Sequence, residues 1–242
     1  LAKNRTILKN CAIEPEIKDL VNFLNLAGGK LKWIGKRTIQ IDGVKNLNSV
    51  NYSIMNDRIE AGTWLIAAAL TEGTLRVGTI DHKLIQTEIN ILKKIGAKIK
   101  IEKDVIFIKG NKKIKNIKLK TEVYPGFPTD LQAQIMVLLC KAKGRSSIIE
   151  NIFENRYMHV AELRRLGAKI QIKGNKSIIE GNSIFEGAEL MSTDLRASVS
   201  LVLAAIASRG QSTINRIYHL DRGYEKIEKK LSNVGVKIKR IN

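Results

Sequence analysis

Four glycines spaced almost evenly along the 242 residues constrain the fold more than any other feature of this chain. The stretches Ala27-Gly28-Gly29-Lys30, Ile95-Gly96-Ala97-Lys98, Leu166-Gly167-Ala168-Lys169 and Val234-Gly235-Val236-Lys237 set a glycine at intervals of 68, 71 and 68 residues. Self-similarity at such a period marks a chain assembled from repeated supersecondary units. Apolar residues at helical spacing precede each glycine, as in Ile85, Ile89, Leu92 and Ile95 or Ile227, Leu231 and Val234, and an alternating segment that suits a strand follows. Glycine at this junction is a natural helix C-cap, because it takes a left-handed conformation with no Cβ penalty.

A second landmark lies upstream in three of the four units, where an aspartate opens an Ala-rich or Leu-rich helix. Asp57 precedes Ala61 to Leu70, Asp130 precedes Ala133 to Leu139, and Asp194 precedes Ala197 to Ala207. Each helix is expected to stop at a glycine, at Gly73, Gly144 and Gly210, with an apolar strand after it. A complete unit therefore reads as acidic cap, buried helix, strand, surface helix, glycine and strands, an α/β arrangement with right-handed crossovers. In the first unit Leu1-Ala2-Lys3-Asn4 aligns with the end of the buried helix, and Arg5 to Leu8 with the strand after it. A strand and surface helix without their buried helix leave an apolar face uncovered, at about 25 cal/mol per Å². The protein is therefore expected to continue upstream of Leu1.

With 44% hydrophobic residues the chain can bury one large core or two modest ones. It has no apolar run of the roughly 18 residues a membrane span needs and no signal-peptide pattern, which makes the cytoplasm the expected compartment. Cys11 and Cys140 are too few and too far apart for a disulfide framework or a zinc site. The formal charge of +19 raises nucleic acid as a partner. However, lysines recur in strand-like alternation at Lys98, Lys100, Lys118, Lys120, Lys237 and Lys239, and no aromatics interleave to stack bases. A solvated strand face is the favoured reading, and nucleic acid is not an expected partner. His82 reads as a solvated loop residue, and His159 and His219 as makers of helix or loop hydrogen bonds without metal-ligand spacing. No dinucleotide fingerprint or Walker loop is present, so neither metal nor cofactor is expected.

Five runs carry a family resemblance: Asp57-Arg58-Ile59-Glu60-Ala61-Gly62-Thr63; Pro125-Gly126-Phe127-Pro128-Thr129-Asp130-Leu131-Gln132-Ala133-Gln134; Phe153-Glu154-Asn155-Arg156-Tyr157-Met158-His159-Val160; Thr193-Asp194-Leu195-Arg196-Ala197-Ser198; and Asp221-Arg222-Gly223-Tyr224-Glu225. In this order they resemble the signatures of the UDP-N-acetylglucosamine 1-carboxyvinyltransferases, and the resemblance runs from Leu1 to the C-terminus. It implies an inside-out α/β fold of the enolpyruvyl transferase type, made of repeated β-α-β-α-β-β units of about 70 residues. Residues 1–45 then look like the last part of the family's first domain. Residues 46–242 look like its second domain, in three repeats of about 46–115, 116–187 and 188–242.

The activity implied is transfer of the enolpyruvyl group of phosphoenolpyruvate to the 3'-hydroxyl of UDP-N-acetylglucosamine, the committed step towards peptidoglycan. That chemistry needs a base for the hydroxyl, an acid for the methylene carbon and cations for phosphate and carboxylate. By resemblance Asp130 contacts and deprotonates the sugar hydroxyl, while Asp194 and Arg196 stand at the reacting centre. Arg222 holds the phosphoenolpyruvate anion, for which a planar fork suits better than an ammonium. Arg156 is another cleft arginine, and Ile152 a position whose backbone touches the nucleotide sugar. Nothing here corresponds to the family's cysteine-bearing mobile loop or to its early Lys-Asn pair. The chain alone is therefore expected to be inactive and to need a missing N-terminal segment to complete the cleft.

The residues also have plainer readings. Asp57 fits an N-cap with no further role, worth about 1 kcal/mol. Asp130 and Asp194 are read as functional, one because a Pro-Gly-Phe-Pro turn fixes its backbone, the other because Arg196 two residues on keeps a carboxylate ionised. Arg156 and Arg222 would pass for surface arginines on spacing alone. A shikimate-pathway enolpyruvyl transferase is the alternative within the fold, opposed by the Phe153 to Val160 and Asp221 to Glu225 runs. A non-catalytic basic fragment is the alternative outside it.

Overall fold

The computed structural model describes residues 1–241. By internal contacts the chain divides into one unit of residues 1–57 with 123–126 and another of residues 58–122 with the chain from Phe127 onward. Among the described residues no helix is long and apolar enough to cross a membrane.

The first unit runs β1 (Arg5–Lys9), α1 (Pro15–Leu26), β2 (Lys30–Gly35) and β3 (Thr38–Asp42), with an antiparallel sheet in the order β1-β3-β2. Pro15 begins α1, where a missing N–H removes nothing from the helix ladder. Asn25 ties the helix exit to β2 through two hydrogen bonds, donating to the Leu31 carbonyl at 2.9 Å and accepting from its amide at 2.8 Å. Leu8, Leu20 and Leu26 are exposed.

In the second unit the same plan recurs. Its elements are α2 (Arg58–Leu70), β4 (Thr74–Val77), α3 (Gln86–Ile95), β5 (Lys98–Glu102), β6 (Val105–Lys109), β7 (Lys118–Lys120), α4 (Gln132–Cys140), β8 (Arg145–Ile149), α5 (His159–Arg165), β9 (Lys169–Lys173), β10 (Lys176–Glu180), β11 (Glu189–Met191), α6 (Leu195–Ile206), β12 (Thr213–Asn215), α7 (Tyr218–Asp221) and α8 (Ile227–Asn233). The orders β4-β6-β5 and β8-β10-β9 repeat that of the first unit, and β7 and β12 join by parallel pairing to β8 and β11. Every residue of α4 is buried, and it packs against both α2 and α6. A helix apolar all round has to be enclosed, so the three form the centre and the sheets stand outside them. On those sheets Lys98, Lys100, Lys118 and Lys120 face solvent while Ile106, Ile108 and Leu119 face inward, the period-2 pattern of a half-buried strand. Cys140 is buried, which pushes its thiol up to about 12 and leaves it unreactive.

Gly28, Gly96, Gly167 and Gly235 all adopt positive φ, between +93° and +121°, as the C-cap reading requires. Two local expectations differ from the structure. After α2 the left-handed residue is Glu72 at φ 56°, not Gly73, so the side chain there is tolerated at a cost. No strand forms over 236–241; Val236 and Ile238 instead pack on the cluster of Leu220, Tyr224, Ile227 and Leu231. The structure also has a second glycine series: Gly43, Gly110 and Gly181, 67 and 71 residues apart, each donate a backbone hydrogen bond across the end of their sheet, to Asn4, Gly73 and Gly144. A Cβ on Gly181 would lie 1.8 Å from the Ala142 carbonyl oxygen.

Candidate active site

Asp130 sits in a single 3-10 turn, Thr129–Leu131, that feeds into α4. Its carboxylate caps no helix. One oxygen accepts from Arg156 Nη2 at 2.7 Å and the other from Arg196 Nη2 at 3.0 Å. Its carbonyl accepts from Gln134 Nε2 at 2.9 Å. The turn is thus fixed by its own helix while the side chain is held between two cations.

Arg196 reaches Asp130 because of the way α6 begins. Asp194, in extended conformation, is its N-cap: Oδ1 accepts from the amides of Arg196 and Ala197, both at 2.9 Å. That geometry corrects one expectation. The Arg196 guanidinium pairs with Asp130, not with the neighbouring Asp194, whose link to Arg196 is through the backbone. Burial disfavours the Arg196 cation, but the facing Asp130 carboxylate and the Tyr224 hydroxyl together outweigh it, and the guanidinium pKa is raised. Arg156 leaves a tight turn in which Asn155 has φ 54°, and its guanidinium lies over the Phe153 ring, 5.0 Å from the centroid.

Asp130, Arg156, Asp194, Arg196 and Arg222 all line one open cleft of about 420 Å³, together with Phe153 and Glu154. The Arg222 side chain makes no hydrogen bond or ion pair with any described residue, which leaves its fork available at the wall. Ile152 is not in that lining; its amide donates to Glu150 at 2.9 Å. The wall carries three arginines and three carboxylates, so its formal charges balance. Among the described residues no group of three His, Cys, Asp or Glu side chains could hold a metal ion.

Two features below the cleft go beyond what residue spacing shows. Tyr224 is buried and its hydroxyl lies 2.9 Å from Thr63 Oγ1, which also accepts from Gln134 Nε2 at 3.3 Å. These residues join α2, α4 and the chain between α7 and α8 beneath Asp130. His159 is only 2% exposed and its Nε2 has no hydrogen-bond partner, contrary to the helix or loop bonding expected of it. Burial lowers its pKa to about 4; Asp194 opposes this and Arg156 adds to it.

A lowered histidine pKa means that the unfolded chain binds the proton more readily than the folded one. Stability from this group is present above the unfolded pKa of about 6.5 and is lost as pH falls towards 4, by about 3 kcal/mol. Urea unfolding from pH 7 to pH 4 is expected to show this loss on top of the carboxylate contribution, and His159→Gln to lack it. Parallel pH curves for the two proteins would refute a buried neutral imidazole.

This combination of fold and cleft has known counterparts. The chain belongs to the EPSP synthase (3-phosphoshikimate 1-carboxyvinyltransferase) family, whose pattern matches residues 1–231. Within it, the chain is 70% identical over all 242 residues to the UDP-N-acetylglucosamine 1-carboxyvinyltransferase of Pelagibacter ubique (strain HTCC1062), and covers 58% of that protein. It is 48% identical over its whole length to the protein of the same name from Psychrobacter sp. (strain PRwf-1), covering 56% of it. The chain thus spans a little over half the length of the curated relatives it matches. Among solved structures, the enolpyruvyl transferase NikO from Streptomyces tendae superposes with a TM-score of 0.89 at 26% identity, over 98% of this chain and 57% of that one. EPSP synthase from Acinetobacter baumannii, at 20% identity and a TM-score of 0.76, covers the whole chain and 59% of its own length, and shares the fold. The α/β fold of the enolpyruvyl transferase type implied by the resemblance is the fold observed.

Proposed function

We propose that this chain forms part of an enolpyruvyl transferase that moves the enolpyruvyl group of phosphoenolpyruvate to the 3'-hydroxyl of UDP-N-acetylglucosamine and releases phosphate, the first committed step of peptidoglycan synthesis, in the cytoplasm. The observation that supports it most is Asp130 held between Arg156 and Arg196, with Arg222 open beside them. A fixed carboxylate can take the proton of an attacking hydroxyl, and rigid guanidinium forks can hold phosphate and carboxylate groups as charge develops. In this reading Asp130 is the base and Arg222 and Arg156 bind substrate. Asp194 and Arg196 serve the reacting centre, and the Ile152 backbone meets the nucleotide sugar through its carbonyl, since its amide is already engaged. Residues 1–45 are the last part of the first domain and 46–242 most of the second. The acid that protonates the methylene carbon, and further phosphoenolpyruvate contacts, are proposed to come from polypeptide outside this chain.

Identity favours this over the shikimate-pathway alternative: 70% and 48% to proteins named UDP-N-acetylglucosamine 1-carboxyvinyltransferase, against 20% for an EPSP synthase. The test joins the chain to the upstream segment of the Pelagibacter ubique relative and assays phosphate release from phosphoenolpyruvate. Release that needs UDP-N-acetylglucosamine is expected. A folded protein that is silent with that sugar nucleotide, or that turns over shikimate 3-phosphate in its place, would sink the reading.

A further inference from the structure

We propose that Glu150 is a positioning residue that sets the spacing between Asp130, Arg156 and the backbone of residues 152–153; the inference rests on the cleft reading above. Glu150 directly follows β8 and is 3% exposed. Its own amide donates to the Asn175 carbonyl at 2.8 Å, which anchors its backbone to the turn between β9 and β10. It does not line the cleft, so it touches no bound reactant.

Its carboxylate collects four donors from three segments. Oε1 accepts from Thr121 Oγ1 at 2.8 Å, from the Ile152 amide at 2.9 Å and from the Phe153 amide at 3.1 Å. Oε2 accepts from Thr129 Oγ1 at 3.0 Å. Thr121 ends the β7 segment and itself accepts from the Asn151 amide at 2.9 Å. Thr129 is the residue before Asp130, and residues 152–153 lead into the turn that presents Arg156. One buried side chain therefore bridges the two loops whose tips meet in the 2.7 Å Asp130–Arg156 pair. A buried carboxylate surrounded only by donors is a fixed point, because any displacement leaves a polar group unsatisfied.

Geometry and charge make different demands here. In Glu150→Gln the amide oxygen can replace Oε1 and keep three donors, while the amide nitrogen faces the Thr129 hydroxyl, which can turn to accept. In Glu150→Ala all four are lost. Thr129→Val removes only the arm that reaches Asp130.

The experiment makes these three variants in the intact protein that contains this chain. It measures UDP-N-acetylglucosamine affinity, phosphate-release kinetics and hydrogen exchange of the Ile152 and Phe153 amides. Glu150→Ala is expected to lower kcat by about 10²-fold, the cost of misplacing reacting groups by about 1 Å, and to speed exchange at both amides. Glu150→Gln is expected to stay within a few-fold of wild type in every readout. Thr129→Val should lower kcat while leaving the two amides protected. Wild-type kinetics in Glu150→Ala with folded protein, or no rescue by Gln, overturns the proposal. If Glu150→Ala does not fold, an unaffected Thr129→Val overturns the link to Asp130. A wild-type protein that does not bind the sugar nucleotide refutes the cleft reading alone, and the exchange of the two amides still decides the clamp.

Discussion

Asp130→Asn is expected to lower enolpyruvyl transfer by about 10³-fold, the middle of the range for loss of a positioned general base. The substitution is nearly isosteric, so the 3-10 turn and the Gln134 contact to the Asp130 carbonyl persist. What changes is the acceptor set. An amide oxygen can serve only one of Arg156 and Arg196, and its nitrogen turns donors towards the other. Asp194→Asn provides the comparison. Asparagine is as good an N-cap as aspartate, so the α6 start survives and any loss of rate there reports the charge of Asp194. Steady-state phosphate release from the complete protein measures both, and an Asp130→Asn rate within tenfold of wild type would remove Asp130 from the role of base.

Gly181→Ala is expected to destabilise the second unit by about 3 kcal/mol or more, at the upper end of overpacking costs, because the added methyl meets a backbone oxygen that cannot rotate away. The hydrogen bond from Gly181 to the Gly144 carbonyl, at 3.0 Å, locks the same crossing and leaves no direction for relaxation. Gly174→Ala is the control. It sits at φ +57° with nothing within 4 Å of an added methyl, so its cost is limited to backbone strain of about 1–2 kcal/mol. Urea unfolding of both variants measures the difference, and equal stability would show that the backbones at Gly181 and Ala142 do not approach as closely as described.

The period of the chain was legible because each glycine of the first series answers a local demand: a helix must end, and the residue after it takes a positive φ that strains any residue with a side chain. The second series answers a non-local demand, a close approach of Gly181 to Ala142 in the connection between α4 and β8, and only its spacing could have revealed it. Site residues divide in the same way. Asp194 as a helix start follows from the apolar run behind it. The pairing of Arg196 with Asp130, across 66 residues, depends on how α6 and the 3-10 turn lie side by side, and neighbours in sequence misdirected the expectation towards Asp194. Glu150 had no signal at all, since a single acid after an apolar strand looks like a surface residue until its four donors are seen. The missing strand beyond Gly235 shows the converse: alternation permits a strand but does not by itself make one.

The bracketing of Asp130 by two guanidinium groups has a bearing on how a ligand gets in. On the proposed reading, a substrate anion reaching Arg156 or Arg196 meets a guanidinium that already holds a counter-ion, so its arrival there is a swap of partners. Long-range attraction then contributes little, and added salt should slow association far less than the overall charge of +19 would lead one to expect.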